Sequence, residues 1–174
     1  SNLIEDIVEV DLVDSLLMNG HTGEILSLTP EERMRTIEIA RKTVGEDMLI
    51  MAGVHGQSTA ETINAINDAE KAGANSVMVF SPFSFSRGAF QYPEVVVQYY
   101  QDIADETNLP FFVMQYPPNS NMMMPLSTLL EVAKIDKVIG VKEAVGDIVR
   151  YEQDYRALKK LDKTFTFLTA SDRK

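Results

Sequence analysis

The chain has 174 residues, 45% hydrophobic and 24% charged, with a formal net charge of −10 and no cysteine. That length suits a single domain with a substantial core, and no apolar run approaches the roughly 18–20 residues that would cross a bilayer. The acidic balance, with no basic patch, argues against nucleic acid or a membrane surface as partner, and the absent thiols exclude disulfides, cysteine nucleophiles and cysteine-bound zinc.

Short runs rich in Val, Ile, Leu, Met and Phe punctuate the chain at 15–19, 48–52, 76–80, 110–114, 137–141 and 165–169. They are expected to be buried parallel strands, because a strand covered on both faces is apolar throughout rather than alternating. Helices fill the intervals. Thr29, Pro30 and Glu32 form a start signal of cap, first-turn proline and capping-box glutamate, and Ser58 with Glu61 repeats the box. Met34, Ile37, Ala40 and Val44, and later Ile148, Tyr151, Tyr155 and Leu158, follow helical spacing and give each helix a face for the sheet. Gly73 is expected to stop the intervening helix.

Successive strands begin 27 to 34 residues apart, the size of a βαβ unit. An open doubly wound sheet and a (β/α)8 barrel both fit this spacing, although six visible strands fall short of eight. Along "VIGVK" a period of two places Val138, Gly140 and Lys142 on one face, with Ile139 and Val141 on the other and Lys142 at the carboxyl end. A strand-end lysine ordinarily reaches out to solvent. The two histidines, His21 and His55, fall just beyond adjacent strands with Glu24 nearby, and a two-histidine, one-carboxylate metal site is the weaker alternative to plain loop structure. "NSNMMMP" (119–125) suits adaptable packing better than a lid. The N-terminus lacks a signal peptide's basic start and apolar stretch, so a cytoplasmic location is expected.

Three stretches, "NGHTGEILSLTPEER" (19–33), "STAETINAINDAEKAGANSVMVFSPF" (58–83) and "VIGVKEAVGD" (138–147), carry in this order a resemblance to the dihydrodipicolinate synthase and N-acetylneuraminate lyase superfamily, over nearly the whole chain. The resemblance implies a single (β/α)8 TIM barrel domain, residues 1–174, lacking strand one and the last βα unit. It further implies class I chemistry without cofactor or metal, a lysine Schiff base with a small-molecule 2-oxo acid of the pyruvate type, and a homo-oligomer, tetramer or dimer. Lys142 matches the family's imine-forming lysine, which must be neutral to attack. With an ordinary pKa near 10.4, only about one lysine in 2,500 is neutral at pH 7, so burial must depress it.

In the family's Gly-Thr-Thr-Gly-Glu stretch, which holds the substrate carboxylate, Thr22, Gly23 and Glu24 match, while His21 replaces the first threonine of the family's proton relay. Met114 replaces the relay tyrosine of strand five, and Tyr116, two residues on and facing the same way, is the candidate substitute. Ser84 stands for a second relay tyrosine. Asn119 replaces the arginine typical of true synthases, which argues against that branch. The expected activity is therefore lyase or aldolase action on a 2-oxo acid or a 2-keto-3-deoxy sugar acid. A sugar-acid dehydratase and a silent carboxylate-binding relative are the alternatives.

Overall fold

Six strands form one sheet in a computed structural model, which describes residues 2–9 and 13–170. They are β1 (Ser15–Met18), β2 (Leu49–His55), β3 (Ser76–Phe80), β4 (Phe111–Gln115), β5 (Val138–Glu143) and β6 (Thr166–Thr169). All neighbours are parallel and the spatial order is the order along the chain. A doubly wound sheet reverses its order at a switch point, so the sequential order selects the barrel type of sheet. Right-handed crossovers in such an order place every helix on one side and leave the other face to line an interior.

The helices are α1 (Asn2–Val8), α2 (Pro30–Val44), α3 (Thr59–Lys71), α4 (Pro93–Glu106), α5 (Leu126–Ala133) and α6 (Ile148–Leu158). None of them is long and apolar enough to cross a membrane. At α2 the capping box is complete: Glu32 N–H donates to Thr29 Oγ1 at 3.2 Å and Thr29 N–H donates to Glu32 Oε2 at 2.8 Å. At α3 only half of the expected box forms. Ser58 Oγ accepts from Glu61 N–H, but the Glu61 carboxylate takes the N–H of Gln57, one residue earlier, at 2.7 Å. Gly73 follows the helix with a φ of 102°, the left-handed conformation a β-carbon would oppose. The apolar face expected for α6 is shorter than its spacing suggests. Ile148 is 75% exposed, whereas Tyr151 and Tyr155 meet Phe167 edge-on and Leu158 is buried, with the Asp154 carboxyl buried among them.

Register separates the two faces of the sheet. Val54, Val79, Val113, Val141 and Phe167 are successive partners on the helix-covered side. The four valines are at most 2% exposed, and full burial of each such side chain contributes about 1.5–3 kcal/mol. On the inner side run Gly53, Met78, Phe112, Gly140 and Thr166, and nearer the carboxyl ends the partners His55 and Phe80, then Met114, Lys142 and Leu168. The register slips between Phe111 and Phe112, so Val138 pairs with Phe111 and Gly140 with Phe112. Val138 therefore lies on the helix side, opposite Gly140 and Lys142, and not on their face as a strict period of two requires. A bulge inserts one residue and resets the alternation beyond it.

Candidate active site

Lys142 lies beyond that register shift, in line with Met114 and Leu168 on the inner side of the sheet. Below it, the β5 backbone presses on its neighbours: a β-carbon on Gly140 would lie 2.4 Å from Phe112 Cε1 and 2.5 Å from the Thr166 carbonyl oxygen. The lysine stands between Met114 and Leu168 on the adjoining strands. It is half-buried and forms no hydrogen bond or ion pair among the described residues. Burial lowers its pKa, in the direction an amine nucleophile needs.

The turn after β1 faces it. Asn19, at a φ of 54°, is pinned to α2: its amide donates to the Arg33 carbonyl at 2.9 Å, and Thr36 Oγ1 donates to its Oδ1 at 2.7 Å. Gly53 lets β2 pass directly beneath, because a β-carbon there would lie 2.0 Å from the Asn19 carbonyl oxygen. With the turn fixed, the His21 imidazole stacks on Phe80 with ring centroids 4.1 Å apart and planes at 27°. Its pKa is lowered, first by burial of that ring face and then by the charge of Lys142. The Tyr116 ring lies 5.8 Å from the His21 ring. Tyr116 is 8% exposed, and burial first, then Tyr100 and Tyr99, push its pKa upward, so the phenol keeps its proton.

The structure thus gathers Phe80, Tyr116 and Lys142 around His21, with Met114 contributing only a thioether. Thr22, Gly23 and Ser84 are exposed on the loops after β1 and β3, and neither hydroxyl has a hydrogen bond among the described residues. His55 points to the same inner side but packs against Phe83, with centroids 5.1 Å apart. It also lines a separate cavity of about 280 Å³ with Arg33 and Glu61. His21, His55 and Glu24 do not converge, and no group of three possible metal-ligating side chains forms among the described residues. Met122 and Met124 are buried, so the methionine run is packing.

Two carboxyls behind the lysine escaped the sequence reading. Glu143, 2% exposed, turns to the helix side, where its Oε1 accepts from Val145 N–H at 2.7 Å and its Oε2 is buried without a partner among the described residues. Asp154, fully buried, accepts from Arg150 Nε at 2.6 Å through Oδ1, while Oδ2 is likewise unpartnered. Burial raises the Glu143 pKa to about 7; the Val145 hydrogen bond opposes this, Asp154 adds to it and Arg150 opposes it. The signal was present, because alternation from Lys142 sends the next residue into the core. Phe80 was also missed, and nothing local in "SVMVF" foretells its stack with His21.

A sequentially wound β/α sheet with an unpaired lysine at its carboxyl end, facing a histidine and a tyrosine, defines a barrel-type α/β protein with its polar site at the strand ends. Residues 1–173 match the model of the Dihydrodipicolinate synthetase family, and the chain belongs to that family. It is 32% identical over 138 residues to the 4-hydroxy-tetrahydrodipicolinate synthase of Phenylobacterium zucineum, covering 79% of this chain and 46% of that protein. With the same enzyme of Methanothermobacter thermautotrophicus it shares 29% over 161 residues, 92% of this chain and 56% of the relative. Dihydrodipicolinate synthase from Thermotoga maritima superposes with a TM-score of 0.89 at 26% identity, over 98% of this chain and 57% of that one. The chloride-inhibited dihydrodipicolinate synthase of Acinetobacter baumannii, solved in complex with pyruvate, superposes with a TM-score of 0.85 at 25% identity, over 97% and 55%. The chain spans about half the length of the curated relatives it matches.

Proposed function

We propose that this protein is a Schiff-base lyase of 2-oxo acids, with Lys142 as its nucleophile. The observation that carries the reading is Lys142 itself: a half-buried amine with no counter-ion among the described residues, at the carboxyl end of an inner-facing strand, in a family with a member solved bound to pyruvate. Neutral Nζ attacks the C2 carbonyl, and the carbinolamine oxygen leaves as water once it is protonated. Solvent supplies that proton, and the Tyr116 phenol, which keeps its own, donates a hydrogen bond to the oxygen. Thr22, His21 and the Gly23 backbone hold the substrate carboxylate, and Ser84 on the loop after β3 is assigned to substrate binding with them. The six strands stand in the places of strands two to seven of a (β/α)8 barrel, and the protein works as a cytoplasmic homodimer or homotetramer.

Asn119 is exposed on the turn after β4, where it offers an anionic second substrate no fixed charge. That favours cleavage of a 2-keto-3-deoxy sugar acid over the synthase reaction. Met114, buried beside Lys142, favours dehydration of the same substrate class as the second reading, since imine formation then acidifies C3 and a hydroxyl is expelled. A panel of 2-keto-3-deoxy sugar acids, assayed for both released pyruvate and dehydrated 2-oxo acid, tests the proposal. Pyruvate release that disappears in Lys142→Met supports the lyase, and a dehydrated product identifies the dehydratase. Turnover that survives Lys142→Met contradicts both.

A further inference from the structure

The relay position on β4 is filled by Met114, 5% exposed, whose thioether can neither take nor give a proton. The Tyr116 phenol is buried and has no hydrogen-bond partner among the described residues. A base beside Lys142 must therefore come from elsewhere, and the fold brings one in on the turn after β1. His21 stacks on the fully buried Phe80 ring, its edge is open to solvent, and its nearest titratable neighbours are Lys142 on β5, Tyr116 after β4 and His55 on β2.

We infer that His21 is a catalytic residue, the general base that takes the proton of the substrate's C4 hydroxyl and returns it to C3. The inference rests on the Schiff-base reading of Lys142 and assigns the proton step that reading leaves open. With the imine formed, His21 removes the hydroxyl proton and the C4 oxygen forms a carbonyl. The C3–C4 bond breaks, and its electron pair enters a C2–C3 double bond while the imine pair moves to Nζ. The aldehyde leaves, and the enamine carbon takes the same proton back from the imidazolium. One proton has moved from oxygen to carbon, nothing is oxidised or reduced, and water then releases the 2-oxo acid from Lys142. The geometry suits this role, since stacking on Phe80 fixes the plane of the ring and leaves its nitrogens at the edge. Burial and the Lys142 charge keep the ring neutral at physiological pH, ready to accept.

Pyruvate alone tests the step, because the enamine exchanges its C3 protons with solvent. The protein at its natural length is incubated with pyruvate in D2O, methyl exchange is followed by proton NMR, and imine occupancy is measured in the same samples by borohydride trapping. His21→Gln, whose amide can still donate to the carboxylate, is expected to trap pyruvate at Lys142 at a higher pyruvate concentration and to lose exchange per trapped imine by about a hundredfold or more. The parent's exchange rate should fall with acid at a midpoint below about 6.5, as the imidazole is protonated, and that inflection should vanish in the variant. Tyr116→Phe should slow formation of the imine, and the exchange that remains should keep the acid inflection that His21 sets. Undiminished exchange in His21→Gln overturns the assignment, and so does a loss of trapping and exchange in equal proportion, which would make His21 only a binding group. No trapping in the parent protein would remove the Schiff-base reading and this inference together.

Discussion

Replacing Glu143 with glutamine tests the buried carboxyl pair behind the nucleophile. In the folded protein its pKa is near 7 against an ordinary 4.5, mainly because burial disfavours the charge. A carboxyl with a raised folded pKa binds its proton more tightly in the fold than in the unfolded chain. Its contribution is therefore fully present below its unfolded pKa of 4.5 and is lost as pH rises through about 7. A difference of that size corresponds to about 3 kcal/mol between pH 4 and pH 8. Glutamine cannot ionise, and it removes the repulsion between the Glu143 and Asp154 carboxylates. The Glu143→Gln variant and its parent should thus differ little near pH 4.5, while at pH 8 the variant should be more stable by about 2–3 kcal/mol. Urea titrations across this range measure the difference. Working with the difference is essential, because His21 and His55, both with lowered pKa, lose stability in the opposite sense as pH falls. A difference that stays constant within about 0.5 kcal/mol from pH 4.5 to pH 8 would refute the reasoning.

Lys142→Met replaces a half-buried ammonium, unpartnered among the described residues, by a thioether of similar length, and should raise the melting temperature by about 2–4 °C while abolishing turnover; a lower melting temperature would show that the amine is stabilised by contacts unlike those described. Gly140→Ala forces a β-carbon against Phe112 and the Thr166 carbonyl, so it should destabilise the fold by about 1–3 kcal/mol and slow imine formation by tilting Lys142, as read by calorimetry and trapping rate. Thr29→Ala removes one half of the α2 capping box and should cost about 1 kcal/mol without altering the site chemistry, measured by the same melting assay.

The parts of this fold legible in the sequence are those set by local chemistry. The six apolar runs became strands, Thr29-Pro30-Glu31-Glu32 became a capped helix start, and Gly73 ended its helix. Strand order was not legible from spacing, because 27 to 34 residues suit a doubly wound sheet and a barrel alike. Nor was the direction of Val138, because the slip opposite Phe111 and Phe112 is a property of two paired strands and leaves no mark in either alone. At the site, the sequence marked Lys142 as a strand-end residue and set Tyr116 on the same side as Met114, two residues earlier. The stack of His21 on Phe80 joins residues 59 positions apart, and only the tertiary fold reveals it. Ile148 kept helical spacing yet stayed exposed, since spacing fixes a face of the helix and not how far the sheet extends beneath it.

The central claim is that Lys142 forms an imine with a 2-oxo acid. Reduction with sodium borohydride in the presence of pyruvate, followed by peptide mass spectrometry, tests it most directly, because the reduced imine leaves a stable adduct on the nitrogen that formed it. The account predicts a pyruvate-derived adduct on Lys142, dependent on pyruvate and absent from Lys142→Met. Modification of another lysine, or none in folded protein at its natural length, would contradict it.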